Sequence, residues 1–318
     1  MTHSHTTEPA GELTALFTKL GIAQPQLLGE GVEARIYALN DQQVVRIYKQ
    51  HSRAAKQDLI KLQQFYALLS ADDADFAVPH IYKIAEQGDI LYSIDRRLSG
   101  APLGKQLGAY SPKAAQPLLQ KYLQTADAIA SLCPPFTSFG EILGQQPVQT
   151  TSWPDFLVQK TGQAYATAKT IFDEEITAAN MAAVLQFIAS EAQAVAAIPT
   201  PLLVHGDFNA MNVLALPDGT ITAVSDFNDQ SVAGDPRMDL ASGVIGFLEG
   251  EDGMRPADGA FLVAELQRTH GPDIQRAIHL YRVYYAIIFA SFCKTSDPRT
   301  FAWSIRSLRQ HLDGTYTY

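Results

Sequence analysis

Leu203-Val204-His205-Gly206-Asp207-Phe208-Asn209-Ala210-Met211-Asn212-Val213-Leu214, with Val224-Ser225-Asp226-Phe227 after it, is the stretch that decides how this chain is read. An apolar run ends at His205-Gly206-Asp207, and Asn212 follows Asp207 by five residues. Leu214 to Leu216, Pro217-Asp218-Gly219-Thr220 and Ile221 to Val224 then read as a hairpin, which returns Asp226 beside Asn212. A turn ending a strand explains His-Gly-Asp alone, with Gly supplying backbone freedom, but leaves the downstream half unexplained. Together the two halves gather a proton-accepting carboxylate, an amide oxygen and a second carboxylate, the last two being hard oxygen ligands for Mg²⁺. That set serves phosphoryl transfer, where spread negative charge needs positioning and metal charge more than covalent help. His205, at the end of Leu202-Leu203-Val204, points back toward the core and supports the loop by hydrogen bonding.

The spacing from Asp207 to Asn212 is that of the catalytic loop H-R-D-x-x-x-x-N, and Asp226-Phe227 matches the start of an Asp-Phe-Gly motif. With Gly234-Asp235-Pro236 and Asp239-Leu240-Ala241, these motifs resemble the aminoglycoside phosphotransferase and choline kinase-like family of small-molecule kinases. The resemblance runs from about Leu27 to the C-terminal helices. It implies an α+β, two-lobed protein-kinase-like fold, with an N-terminal antiparallel sheet lobe and a larger, mainly helical C-terminal lobe. The lobes would span residues 1–98, with 1–10 a disordered tail, and 99–318. By the same resemblance Asp207 is the catalytic base, Asn212 and Asp226 are Mg²⁺ ligands, and ATP or GTP is the phosphoryl donor. Asp235 and Asp239 become structural acids that hold the catalytic loop and cap the following helix. The residues agree for Asp239, which opens an apolar run (Leu240, Val244, Ile245, Leu248) at helical spacing, where a first-turn carboxylate is favourable.

The N-terminal third carries the expected nucleotide features. Leu28-Gly29-Glu30-Gly31-Val32-Glu33-Ala34 resembles a glycine-rich phosphate loop, with Gly29 and Gly31 present and Ala34 where a third glycine would fall. Val44 to Tyr48 reads as a strand that puts Arg46 where kinases carry the phosphate-binding Lys, and Arg suits that work bidentately. Lys49 is the rival, although it faces the other side of an ideal strand. A helix from about Ser52 to Leu69 offers Asp58 as the acidic partner of Arg46. After a strand at Ile90 to Ile94, Asp95-Arg96-Arg97-Leu98-Ser99-Gly100 reads as the hinge, where adenine would bond to backbone groups. Gly100 to Gly108 is a compositional break suited to a lobe boundary.

At 318 residues the chain has room for two domains. Its 24 basic against 33 acidic residues give a net charge of −9, which argues against nucleic acid or an anionic membrane as partner. Cys133 and Cys293 suit a reducing cytosol, and Met1-Thr2-His3-Ser4-His5 lacks an apolar signal core, so a cytoplasmic location is expected. Val283 to Cys293 is too short to span a bilayer and reads as a buried helix. Monomer and homodimer stay equally open.

The larger lobe shows helical stripes at Leu118 to Ile129 and Met181 to Ile198, joined by a long segment from Phe139 to Phe156 that reads as a substrate loop or a plain surface loop. A small hydroxylated acceptor is expected, with amino sugars and amino alcohols leading. Glu249, Glu251, Asp252 and Asp258 form an acidic loop that would meet a cation, whereas Arg299, Arg306 and Arg309 make the last helix a poor amine receptor. Tyr281, Tyr284, Tyr285 and Trp303 are candidates for an aromatic cage around a quaternary amine, or for core. Choline or ethanolamine, homoserine and sugar kinases of the same fold are alternatives, as is an inactive nucleotide-binding module. A protein kinase fits worse, because Asn228 stands where the Gly of Asp-Phe-Gly would and the following segment leaves no room for a long activation loop.

Overall fold

The computed structural model describes residues 10–31, 33–72, 74–250 and 254–316. Residues 1–9 of the expected tail, with His3 and His5, fall outside them, as do Val32, Glu251 and Asp252, whereas Ala10 opens the first helix. The chain divides into two compact units, Met1–Ser99 with Ala223–Ser225, and Gly100–Thr222 with Asp226–Tyr318.

In the first unit, α1 (Ala10–Lys19) precedes β1 (Leu27–Glu30), β2 (Ala34–Ala38), β3 (Gln43–Tyr48), α2 (Arg53–Tyr66), β4 (Ile81–Gln87) and β5 (Ile90–Arg96). The strands form an antiparallel sheet in the order β1-β2-β3-β5-β4. Alternation puts Val45 and Ile47 of β3 and Ile90 and Tyr92 of β5 into one core with Leu16 and Phe17 of α1. No motif at Leu27 or beyond points to α1, yet its signal is present. Leu13, Leu16, Phe17 and Leu20 fall at i, i+3, i+4 and i+7 and all join that core. Each such side chain contributes about 1.5–3 kcal/mol on full burial. Ser52 caps α2 by accepting a hydrogen bond from the Ala55 amide, and the helix stops at Tyr66, short of the expected Leu69.

Asp95 and Arg96, expected in the hinge, belong to the strand before it, and the Arg97 amide after them is already engaged. β5 continues through Asp95 and Arg96, because Asp95 pairs in register with Val44 on one side and Ile81 on the other. The Arg96 amide bonds to the His80 carbonyl and the Arg97 amide to that of Gln42, so the backbone donors of both are occupied. Leu98 lies in the irregular stretch that follows.

The second unit begins with β6 (Ala101–Pro102), α3 (Leu103–Gln106), α4 (Pro112–Ile129), β7 (Phe139–Glu141), β8 (Gln149–Thr150), α5 (Trp153–Thr167), α6 (Lys169–Glu175) and α7 (Ala178–Val195). It continues with β9 (Leu202–Val204), β10 (Val213–Ala215), β11 (Ile221–Val224, whose last two residues count with the first unit) and β12 (Val232–Gly234), then α8 (Arg237–Leu248), α9 (Pro256–His270), α10 (Ile274–Ala290), α11 (Cys293–Ser296) and α12 (Pro298–Leu312). Its strands lie in two small sheets, β11-β10-β6 and β8-β7-β12-β9. The expected long loop from Phe139 to Phe156 carries two short strands and the start of α5. β7 pairs with both β8 and β12, and Trp153 and Phe156 open α5 fully buried and stacked at 4.8 Å. A Cβ on Gly234 would enter the Trp153 ring, so this close packing requires glycine. The expected buried helix from Val283 to Cys293 is interrupted, since α10 ends at Ala290, Phe292 is exposed and Cys293 opens α11; among the described residues no helix is long and apolar enough to cross a membrane.

Candidate active site

β9 and β12 fix where the candidate catalytic loop, residues 205–212, starts. Val204 pairs with Val232, and the next residues turn sharply because Gly206 adopts φ +82°. A Cβ at Gly206 would collide with the Gln230 carbonyl oxygen, so glycine is needed for both conformation and space. Asp239, in the first turn of α8, receives the His205 amide at 2.7 Å and the Gly206 amide at 3.0 Å. Burial pushes its carboxyl up to about 7, against the lowering effect of these two amides. Ser231 donates to the His205 carbonyl, Tyr285 to the Gly206 carbonyl and Ser242 to the Phe208 carbonyl. His205 is fully buried. Its Nδ1 accepts the Asp207 amide at 3.2 Å, and its ring lies 4.4 Å from that of Phe227.

Asp207 is oriented by two neutral amides. Asn209 Nδ2 donates to its Oδ1 and Asn212 Nδ2 to its Oδ2, both at 3.1 Å. The same amides bond to the Asp207 carbonyl, which closes the loop on itself. Donation through Nδ2 makes Oδ1 the acceptor end of Asn212, the end a hard cation would use. Phe208 anchors the segment, stacked on Tyr122 at 4.7 Å.

The segment after β11 behaves differently. Phe227 is buried, whereas Asp226 is exposed and makes no side-chain hydrogen bond or ion pair with the described residues. Asp226 also has φ +64°, the one left-handed non-glycine backbone among the described residues. Such strain costs on the order of 1–3 kcal/mol, and surrounding structure must hold it in place. Asp235 is held more tightly. Arg237 embraces it with Nε and Nη2, the Arg237 amide bonds to it at 3.0 Å, and Tyr281 donates to it at 2.5 Å.

In the first unit, Gly29 lies in β1 and Gly31 just after it, in the turn to β2. Lys49 bonds to the Gly31 carbonyl at 2.8 Å and pairs with Glu30 at 2.9 Å, so it is attached to the glycine-rich turn. Glu30 is held below the usual carboxylate range by its hydrogen bond to Lys49. Arg46 pairs with Asp95 at 3.2 Å, while Asp58 sits on the exposed face of α2. Burial raises the Asp95 carboxyl and Arg46 opposes that. The partner shown for Arg46 thus comes from β5, a position that sequence spacing assigned to the hinge.

The aromatic cage is corrected by burial. Tyr281 and Tyr285 are 0% and 4% exposed, and their hydroxyls hold Asp235 and the Gly206 carbonyl. Burial raises both phenols well above their ordinary range. Trp303 and Glu249 line a cavity of about 410 Å³ together with Asp297, Arg299, Thr300 and Arg306. Glu249 there is paired with Arg282 and Arg306. Asp258 is buried in a bond to Arg255. Arg282 was missed by sequence reasoning, because its position in the apolar run of α10 gives no sign of the partners it meets.

The phosphotransferase enzyme family model, APH, matches residues 25–280. No curated protein matches the sequence. Among solved structures, the streptomycin-ATP-APH(2")-IIa ternary complex is 18% identical, with 96% of this chain and 97% of that one covered at a TM-score of 0.61. The GDP complex of wild-type aminoglycoside 2'-phosphotransferase-IIIa is 15% identical, with 98% and 100% covered at 0.65. The GDP and kanamycin complex of APH(2")-IIia is 18% identical, with 96% and 98% covered at 0.64. At these identities the likeness is one of fold, the α+β protein-kinase-like fold that the motifs imply. The family match spans well over half of the chain, and this protein belongs to the phosphotransferase enzyme family.

Proposed function

We propose that this enzyme moves the terminal phosphoryl group of ATP or GTP to a hydroxyl of a small molecule, with amino sugars and amino alcohols the leading acceptor classes. Asp207 accepts the hydroxyl proton, and Asn212 and Asp226 hold Mg²⁺. The observation that carries this reading is Asp226, a strained, exposed carboxylate without a side-chain partner among the described residues, whose neighbour Phe227 is locked inside. A backbone held in that state without a structural partner is suited to a ligand. The donor set fits: a carboxylate and an amide oxygen are hard ligands, and the nucleotide phosphates would complete the sphere. Bound Mg²⁺ would supply positive charge at the phosphate oxygens.

Asp207 is suited to its role because Asn209 and Asn212 orient both carboxylate oxygens without neutralising them. In the first unit, Arg46, Lys49, Gly29 and Gly31 would hold the phosphates, and Leu98 would bond to the base. Nucleotide chemistry is supported by relatives described with ATP or GDP, and an amine-bearing acceptor by those described with streptomycin or kanamycin. A cytoplasmic enzyme, monomeric or dimeric, is part of the same reading.

The test is ADP release across a panel of hydroxylated acceptors, with and without Mg²⁺. Release should require both acceptor and metal, and Asp226→Asn should raise the Mg²⁺ concentration needed. Metal dependence unchanged in that variant would remove Asp226 from the metal site.

A further inference from the structure

Arg46 in β3 and Lys49 just after it are three residues apart, and strand register sends them to opposite faces of the first unit's sheet. Gly29 pairs with Ile36, Ile36 with Arg46 and Arg46 with Ser93. In the neighbouring row, Glu30 pairs with Arg35, Arg35 with Ile47 and Ile47 with Tyr92. Residues in register share a face, and Ile47 and Tyr92 lie in the core with α1. Glu30 and Arg35 are therefore on the α1 side, while Arg46 shares the other side with Gly29. Lys49 falls two residues past Ile47, the spacing that returns a strand to the same side.

Packing does little to fix the glycine-rich turn. β1 is an edge strand paired with β2, and its Leu27, Leu28 and Glu30 are exposed. A Cβ at Gly29 would meet nothing within 4 Å, and at Gly31 it would meet the Ala34 carbonyl oxygen at 4.0 Å. Such open space suits the close approach of a ligand to backbone, but it does not hold the turn's shape.

Lys49 touches the turn at three residues. Its amide donates to the Glu33 carbonyl at 2.8 Å, its ammonium donates to the Gly31 carbonyl at 2.8 Å, and the ammonium pairs with Glu30 at 2.9 Å. Arg35 holds the same Glu30 carboxylate oxygen at 3.3 Å. An ammonium has three donors, and these side-chain contacts use two of them. To bind a phosphate on the Arg46 side, Lys49 would have to leave both, and on its own side the phosphate would meet the Glu30 carboxylate.

We infer that Lys49 is a positioning residue, which clamps the glycine-rich turn from the α1 side of the sheet and serves the nucleotide phosphates through that turn. This rests on the kinase reading above and makes the share of Lys49 in holding the phosphates indirect. Amide hydrogen exchange without nucleotide and calorimetric binding of Mg-ATP test it, on the parent, Lys49→Met, Glu30→Gln and the double variant. Both positions are exposed. In Lys49→Met the Gly31 and Ala34 amides should exchange about two- to fivefold faster, the range of one exposed ion pair, while the Leu91 and Tyr92 amides of β5 keep the parent rate. Mg-ATP binding should weaken by a similar factor. Glu30→Gln should weaken it too, and the double variant should bind no more weakly than Lys49→Met alone. A lysine that contacts the phosphates directly gives the opposite sign at Glu30, because removing a carboxylate beside an anion tightens its binding. Tighter Mg-ATP binding in Glu30→Gln, parent exchange rates in Lys49→Met, or binding unchanged in both single variants would overturn the inference. Faster turn exchange in Lys49→Met, with no Mg-ATP bound by the parent, would uphold the clamp on the turn and overturn the kinase reading instead.

Discussion

The catalytic loop and the cavity under α12 belong to the same unit and handle carboxylates in opposite ways. Asp207 is gripped by the amides of Asn209 and Asn212, neutral groups that fix its direction and leave its charge intact. Glu249 is gripped by two arginines, one of them buried, so its charge is cancelled where it stands. Hydrogen-bonded amides prepare a carboxylate for a proton or a cation. Paired guanidiniums convert one into structure. The acidic loop that looks like a cation receptor in the sequence therefore belongs with the framework at its two described positions, Glu249 and Asp258.

The largest test of that contrast is removal of the oriented carboxylate. Asp207→Ala should lower turnover by about 10²–10⁴ if it acts as general base, while nucleotide affinity, measured separately by calorimetry, stays close to that of the parent. Turnover within a factor of a few of the parent would end the distinction between the two carboxylates. The converse change is Arg282→Met. Loss of one member of a buried pair costs about 3–5 kcal/mol, so its urea midpoint should drop sharply, whereas Asp207→Ala should leave the midpoint near the parent value.

The two regions also differ in how far they could be read from sequence. Asp207 and Asn212 are five residues apart and bond directly, so spacing alone announces them. The hairpin of β10 and β11 was legible for the same reason, since the turn residues and both strands are contiguous. Glu249 and Arg306 are 57 residues apart, and Tyr285 reaches back 79 residues to the Gly206 carbonyl. Such contacts depend on how α8, α10 and α12 pack, and a helical stripe carries no information about the stripe it meets. Tyr281 illustrates this, for its spacing fits a cage and a core equally, and only the bond to Asp235 decides. Arg46 has the same problem, because cross-strand register set its pairing with Asp95 and the local motif did not.

A pH titration gives a smaller effect, with opposite signs in the two regions. Asp239 under the catalytic loop is pushed up to about 7 by burial, so the folded state holds its proton longer than the unfolded chain does. Its contribution is fully present below the ordinary value of 3.8 and is lost as pH rises through about 7. His279 of α10, in contact with His311 at 3.0 Å, is lowered to about 4 by burial first and by His311 and Arg282 after it. Its contribution is present above 6.5 and lost as pH falls toward 4. The stability difference between the parent and Asp239→Asn should therefore change by on the order of a few kcal/mol between pH 4 and pH 7, to the disadvantage of the parent as pH rises. For His279→Gln the slope should reverse. Equal slopes for the two variants in urea unfolding would show that burial does not set these carboxyl and imidazole groups apart.

The smallest expected effect separates orientation from charge within the catalytic loop. Ser242 of α8 donates to the Phe208 carbonyl at 2.6 Å, one residue past Asp207, and the bond involves no ionised group. Ser242→Ala should cost about 0.5–1.5 kcal/mol of stability, the net value of a neutral hydrogen bond. Its kinetic effect is the informative part. If Asp207 works because the loop holds its direction, turnover should fall several-fold with the acceptor KM nearly constant, since the base is still present but less well aimed. A variant that loses stability and keeps full turnover would place the orienting force in the Asn209 and Asn212 amides alone, and α8 would then be a support for the fold with no share in the chemistry.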